Sequence, residues 1–224
     1  MKFLVDGFGS IGQRHVNNLI RSGYNKIIVI TKKKITDKRF GKLKFFKKLS
    51  EGLKLKPNIA LICNPTSLHD RSIIACANAN CHLFVEKPVS SNNKNEKKIN
   101  NLIKKKKLIN MVGYMMRFHP AIIKIEQLLK KHAIGKVFNI QSMWGEYLPN
   151  WHPEENYKRS YASKKKLGGG VSLTLSHDLD LLKKIFGTPQ KIYNLNSNLS
   201  SLKIEVDTYS SFLVSFKKDI FASI

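Results

Sequence analysis

Along the first half of the chain, short apolar runs alternate with longer stretches of helical periodicity. Phe3 with Leu4 and Val5 makes the first run, Lys26 to Thr31 (KIIVIT) the second and Ile59 to Cys63 (IALIC) the third; Leu83 to Val85 and Leu108 to Tyr114 follow. Continuous runs of this length predict strands buried on both faces rather than half-exposed ones. Between them, Ile11 to Ile20 predicts a helix carrying Ile11, His15, Asn18 and Leu19, and Ser67 to Ala79 and the polar stretch Asn92 to Lys107 predict two more. Strand and helix in alternation predict an α/β fold, a doubly wound parallel sheet, over residues 1–118.

The pattern changes after residue 118. Ala121 to Lys131 predicts a helix with Ile122, Ile125 and Leu128–Leu129 on one face, and Val137 to Tyr147 a long strand. Leu148 to Lys166, rich in Pro, aromatic and charged residues, predicts a long ordered loop, the kind of segment that often carries function. Gly168-Gly169-Gly170 then precedes an apolar helical stretch, Val171 to Phe186, stopped by Gly187 and Pro189. Lys191 to Asn196, Ile204 to Val206 and Tyr209 to Phe216 predict antiparallel strands, and Ile220 to Ile224 one more. A second α/β domain with an open, mostly antiparallel sheet is therefore expected over residues 119–224, incomplete because the chain stops inside a strand.

Composition narrows the class. The 42% hydrophobic content is enough to build a core, and no stretch comes near the ~18 consecutive apolar residues of a membrane span. Met1 to Asp6 has no long apolar region and no small-residue cleavage site, so no signal peptide is expected. Three cysteines, Cys63, Cys76 and Cys81, give neither a disulfide framework nor a thiolate metal site, which suits a reducing cytoplasm. Forty basic against 15 acidic residues give a net charge of +25. Such a surplus raises nucleic acid as a partner. Only Arg14, Arg21, Arg39, Arg71, Arg117 and Arg159 are arginines, however, and the lysines are spread along the chain. Guanidinium, not ammonium, reads guanine and phosphate with two parallel bonds, so the balance argues against nucleic acid. A basic surface still attracts anionic small molecules such as nucleotide sugars.

Four local patterns can carry chemistry. Gly7-Phe8-Gly9-Ser10-Ile11-Gly12 lies between the first strand and the first helix. Gly7 permits a tight turn, Gly9 lets backbone approach a pyrophosphate, Gly12 allows close helix–strand packing, and the helix start supplies amide donors. Asp6 just before it is an oddity, a carboxylate next to phosphate territory. The second strand ends in Thr31-Lys32 with no carboxylate for a ribose 2′-hydroxyl, which leans slightly toward NADP over NAD. Asn64-Pro65-Thr66 follows the third strand, where Asn64 could hold cofactor or simply cap the next helix. Glu86-Lys87-Pro88 closes the strand Leu83 to Val85, a place where a partly desolvated lysine can meet a reacting hydroxyl. His177, beside Asp178 and Asp180, is either a satisfied core histidine or a proton shuttle for carbinol oxidation. The histidines form no metal-ligand spacing, so no metal is expected.

Taken in order, the glycine run, Asn64-Pro65-Thr66, Glu86-Lys87-Pro88 and Gly169-Gly170…His177-x-x-Asp180 resemble the Gfo/Idh/MocA oxidoreductases, NAD(P)-dependent sugar and cyclitol dehydrogenases. Tyr147-Leu148-Pro149-Asn150-Trp151 and Tyr161 resemble the branch found in surface-polysaccharide and nucleotide-sugar pathways. The resemblance implies an N-terminal Rossmann domain and a C-terminal domain whose sheet forms homo-oligomer contacts. It implies Lys87 and His177 as the catalytic pair, and cofactor contacts from Gly7, Phe8, Gly9, Ser10, Ile11, Gly12, Thr31, Lys32, Asn64, Glu86 and Lys87. Arg117, Tyr147, Trp151, Arg159 and Tyr161 are candidates for substrate contact or for loop packing. The family pattern often has an acidic residue three positions before the histidine; here it is Thr174, which cannot act as a base. The expectation is a cytoplasmic oxidoreductase moving hydride between nicotinamide and a sugar, cyclitol or nucleotide-sugar hydroxyl. The alternatives are a non-catalytic NAD(P)-binding regulator of the same fold and, on charge alone, a nucleic-acid binder.

Overall fold

The computed structural model describes residues 1–151, 153–199 and 201–224. They divide into two compact units, Met1–Gly113 and Tyr114–Ile224.

In the first unit six strands lie in the order β3-β2-β1-β4-β5-β6: β1 (Phe3–Asp6), β2 (Ile27–Ile30), β3 (Lys44–Phe46), β4 (Ile59–Ile62), β5 (His82–Val85) and β6 (Asn110–Val112). Every pairing is parallel. The pleat sends alternate side chains to opposite faces, and both faces are covered. Leu4, Ile28, Ile30, Ala60 and Ile62 pack on one side with Ile73, Cys76 and Ala77 of α3 (His69–Asn78) and Ile99 of α4 (Glu96–Lys105). Phe3, Val5, Val29 and Leu61 pack on the other with Val16 of α1 (Ser10–Arg21) and with Phe40. Two buried faces are why these strands read as unbroken apolar runs. The inward stripe of α1 runs through Gly12 and Val16, while Asn18 faces solvent. Residues 32–58, which carried no readable pattern, hold a 3-10 turn (Lys38–Phe40), the edge strand β3 and α2 (Leu49–Leu53). Lysines lie within the first two and flank the third, and elements this short leave no period to read.

The order reverses at β1, whose neighbours are β2 and β4. A crevice opens at such a point beyond the carboxyl ends of the strands, where α/β sheets take their ligands. The glycine turn after β1 and the Asn64 turn after β4 both lie there.

In the second unit, α5 (Pro120–Lys130) is followed by a four-stranded sheet, β7-β10-β9-β8, formed by β7 (Asn139–Gln141), β8 (Lys191–Ser197), β9 (Tyr209–Phe216) and β10 (Ile220–Ser223). Only the β7–β10 pairing is parallel. One face holds Val214, Phe216 and Ala222 against Leu182 and Phe186 of α7 (His177–Phe186). The other presents Tyr193, Leu195, Leu213 and Phe221, each more than half exposed.

Four expectations for this unit need correction. Strand β7 covers three residues rather than Val137 to Tyr147, because after the Ser142 amide bonds the Ser223 carbonyl the chain leaves the sheet. Ile204 to Val206 is not a strand; it belongs to the β8–β9 connection, with Val206 buried. Ile125 and Leu128 of α5 are exposed, and its inward side carries Ile122, Glu126 and Leu129, with Glu126 paired to Lys184. The stretch Val171 to Phe186 is two helices, α6 (Val171–Thr174) and α7, broken at Leu175-Ser176. The Thr174 hydroxyl donates back to the Gly170 carbonyl at 2.7 Å, a local bond that competes with helix continuation. The break makes His177 the first residue of α7 instead of a mid-helix one. Among the described residues, no helix is long and apolar enough to cross a membrane.

Candidate functional site

The glycine turn is closed at two positions and open at one. Gly7 has φ +106°, and a Cβ there would lie 2.5 Å from the Asn64 amide nitrogen. A Cβ on Gly12 would lie 2.1 Å from the Gly7 carbonyl oxygen. Around Gly9 a Cβ would meet nothing within 4 Å. Backbone thus packs on backbone at Gly7 and Gly12, and Gly9 leaves the approach to α1 clear. No side chain caps the start of α1, so its first amides point at that space. Ser10 is exposed and begins the helix, and Ile11 packs against the core. The Phe8 side chain is a core group, edge-on to Phe40 at 5.1 Å, so only its backbone is available at the turn.

Asn64 and Asp6 share a buried network at the ends of β4 and β1. Asn64 Nδ2 donates to Asp6 Oδ2 at 2.9 Å and contacts Ser72 Oγ at 2.8 Å, while the Ser72 hydroxyl donates to the same carboxylate oxygen at 2.6 Å. Burial pushes the Asp6 carboxyl above its ordinary value, against the opposing pull of the Ser72 bond and of the His69 and Arg71 charges. Asn64 Oδ1 is buried and has no partner among the described residues. At the end of β2, Thr31 Oγ1 accepts from the Lys33 amide at 3.1 Å, and the Lys32 side chain is exposed.

Glu86 and Lys87 follow β5. Glu86 Oε1 lies 2.7 Å from His15 Nε2, a charge-assisted pair when the ring is protonated, and this ties the end of β5 to α1. Glu86 Oε2 also accepts from the Lys87 amide at 3.3 Å. Lys87 is half-buried, and Pro88 after it is buried.

In the second unit, His177 is 5% exposed, with the Trp144 ring stacked at 5.8 Å and the Tyr114 ring edge-on at 5.8 Å. Burial pushes the Tyr114 phenol up, and its hydroxyl lies 3.5 Å from Ser176 Oγ. The carboxylates expected to orient His177 have other partners. Asp180 accepts two bonds from the Arg117 guanidinium, one of them 2.7 Å, and Asp178 accepts from the Ser142 hydroxyl at 3.0 Å. Arg117 therefore anchors α7 to the 3-10 turn Met115–Phe118. Asp207 holds the start of α6, accepting from the Ser172 amide at 2.9 Å and the Ser172 hydroxyl at 2.6 Å.

The remaining candidates lie on the loop before α6, whose described residues include four 3-10 turns: Leu148–Asn150, Tyr157–Arg159, Tyr161–Ser163 and Lys165–Leu167. Tyr147 and Arg159 are exposed, as is Tyr161 in part. The Trp151 indole N–H is buried with no acceptor among the described residues. His15, His69, Tyr114, Trp144 and Asp207 were not singled out from the sequence. Tyr114 and Trp144 lie inside segments read as strands, Leu108 to Tyr114 and Val137 to Tyr147, a reading that gave them no role in a site. Among the described residues, no group of three or more His, Cys, Asp or Glu could hold a metal.

A family model described as "Oxidoreductase family, NAD-binding Rossmann fold" matches residues 1–114, and one described as "GFO/IDH/MocA C-terminal domain" matches residues 122–224. The chain belongs to the GFO/IDH/MocA oxidoreductase family. Among curated relatives, it is 28% identical over 195 residues to myo-inositol 2-dehydrogenase of Thermotoga maritima, covering 84% of this chain and 55% of that protein. It is 27% identical over 128 residues to levoglucosan dehydrogenase of Pseudarthrobacter phenanthrenivorans, covering 56% of this chain and 32% of the relative. The chain thus spans about half or less of the length of these two relatives. Among solved structures, myo-inositol 2-dehydrogenase of Lactobacillus plantarum shares the fold with TM-score 0.85 at 18% identity, over 100% of this chain and 68% of that one. The WlbA dehydrogenase of Chromobacterium violaceum, in complex with NADH and UDP-GlcNAcA, does so with TM-score 0.83 at 19% identity, over 100% and 66%.

The residues present fit the dinucleotide that the N-terminal family description names. The turn is clear at Gly9, the helix amides beyond it are uncapped, and Asn64 holds a buried acceptor at the same edge.

Proposed function

We propose that the chain serves an NAD(P)-dependent oxidoreductase that moves hydride between nicotinamide and a hydroxyl or carbonyl of a sugar, cyclitol or nucleotide sugar. The observation that carries this is the glycine turn, closed by backbone at Gly7 and Gly12 and clear at Gly9, in a chain of this family. The bound nicotinamide supplies the hydride acceptor or donor. Gly7 to Gly12 hold a diphosphate with backbone amides, and Asn64 accepts from the cofactor through Oδ1. Glu86, fixed by His15, orients the Lys87 backbone. Lys87 hydrogen-bonds the reacting oxygen and stabilises negative charge on it. His177, its ring set by Tyr114 and Trp144, takes the hydroxyl proton in oxidation and returns it in reduction. Acid–base assistance of this kind is typically worth ~10²–10⁴-fold in rate.

Thr31 and Lys32 at the end of β2, with no carboxylate beside them, favour a 2′-phosphate and hence NADP. Surplus positive charge favours a nucleotide sugar over a neutral polyol. Trp151 offers a buried N–H to a substrate oxygen. The open face of the second sheet, with Tyr193, Leu195, Leu213 and Phe221 exposed, suits a homo-oligomer contact.

The test is turnover on a panel of polyols and nucleotide sugars with NADH and NADPH, repeated with Lys87→Ala and His177→Ala. Each variant is expected to lose at least about a hundredfold in kcat. Full activity in both on the true substrate overturns the assignment. One observation favours a second reading, a dinucleotide-binding regulator. Thr174 stands at the family's acidic position with its hydroxyl spent on the Gly170 carbonyl. Tight NAD(P)H binding with no turnover across the panel would select that reading.

A further inference from the structure

His69, the first residue of α3, is 1% exposed and has no part in the scheme above. Its two ring nitrogens face two backbone carbonyls from different turns. Nδ1 lies 2.9 Å from the Pro88 oxygen, and Nε2 lies 2.9 Å from the Asn64 oxygen. A carbonyl oxygen only accepts, and a neutral imidazole has one N–H and one lone pair. A neutral ring would bond one carbonyl and set its lone pair against the other at the same distance. Only the doubly protonated ring donates to both.

A buried cation needs a counter-charge, and Asp6 at the end of β1 supplies one. Asn64 links the two groups. Its carbonyl accepts from His69, and its side-chain amide donates to Asp6. The Ser72 hydroxyl, one helical turn beyond His69, completes the carboxylate's shell.

We propose that His69 is a positioning residue: a doubly donating imidazolium that clamps the Asn64 turn after β4 to the Lys87–Pro88 turn after β5. The clamp joins the two turns that follow the last ladder bond between β4 and β5, from the Glu86 amide to the Ile62 carbonyl. Through it the placement of Asn64 and that of Lys87 become one structural variable. The consequence for dinucleotide binding rests on the function proposed above; the clamp itself does not.

Three measurements on the whole chain test it. Long-range ¹H–¹⁵N spectra of the unliganded protein at pH 7 are expected to show both His69 nitrogens protonated. A signal from one unprotonated nitrogen overturns the proposal. Next, hydrogen exchange compares wild type with His69→Gln and His69→Ala. The Leu68 amide, bonded to the Pro65 carbonyl in the Asn64 turn, and the Glu86 amide, bonded to the Ile62 carbonyl at the ladder's end beside Lys87, are expected to exchange about tenfold faster in the alanine variant, with glutamine, which keeps an N–H donor, in between. Unchanged exchange at both amides overturns it. Should the alanine variant fail to fold, the wild-type spectra still decide. Finally, fluorescence titration with NADPH and NADH is expected to show binding weakened by about tenfold in His69→Ala and partly restored in His69→Gln. Wild-type protein that binds neither dinucleotide overturns the function proposed above, and the spectra and exchange then judge the clamp alone.

Discussion

At Gly7 and Gly12 an alanine methyl would land on backbone that cannot yield, 2.5 Å and 2.1 Å from the nearest atoms, and Gly7 adds a left-handed φ. Gly7→Ala and Gly12→Ala are each expected to lower stability by roughly 2 kcal/mol or more in urea melts. Gly9→Ala meets open space and should melt within about 0.5 kcal/mol of wild type, yet weaken NAD(P)H binding in a fluorescence titration. That contrast would separate glycines that folding requires from one that the proposed ligand requires. Much of the site was legible at this scale where it rests on consecutive residues. The turn's needs are written in six neighbouring positions, and Asn64 and Lys87 stand out by following strands. His15 and Glu86 lie 71 positions apart, and His69 and Pro88 lie 19 apart, so no local pattern announces them. The sequence presented Asp6 as out of place; its role depends on Asn64 and Ser72, which only the fold brings to it.

Between single residues and the sheet stands the interrupted helix before and through His177. Its first part hangs on Asp207, whose Oδ1 would lie 2.1 Å from a Cβ on Gly170. Asp207→Ala strips the Ser172 amide and hydroxyl of their acceptor and is expected to cost about 1–3 kcal/mol by chemical denaturation. Gly170→Ala should act in the same direction, because its φ of +105° and the Asp207 carboxylate both oppose a side chain. Elements with a strong period or a doubly buried run were readable: β1, β2, β4, β5 and the helices α1 and α3. The helix break was not, because Val171 to Phe186 has helical periodicity throughout and nothing in that pattern marks Leu175-Ser176. Ile204 to Val206 looks like a strand by composition, but its chain is engaged in reaching Asp207 back to α6.

For the molecule as a whole, the three thiols make stability sensitive to alkali. All are buried, and burial pushes each upward, Cys81 from its ordinary value near 9 to about 11. A raised thiol contributes nothing adverse while both states hold the proton. Above about pH 9 the unfolded chain releases it and the folded chain does not, so stability falls as pH rises toward 11. Each thiol adds a slope of up to about 1.4 kcal/mol per pH unit. Urea midpoints between pH 7 and 10.5 should decline in wild type and decline less in Cys81→Ala. The open sheet face offers a separate test at this scale. Leu213→Lys, placed among Tyr193, Leu195 and Phe221, is expected to lower the assembly state in sedimentation without unfolding the chain, since Leu213 is 59% exposed.

The loop from Leu148 to Leu167 carries one more implication. Each of its 3-10 turns closes on main-chain bonds of its own: Asn150 to Tyr147, Arg159 to Asn156, Lys164 to Tyr161 and Leu167 to Lys164. These turns are therefore closed by backbone, and the exposed side chains of Tyr147 and Arg159 take no part in closing them. A scaffold of this kind can acquire new tastes by drift at a few surface letters. Libraries randomised at those two positions should yield mostly folded protein, with altered preferences concentrated among the survivors.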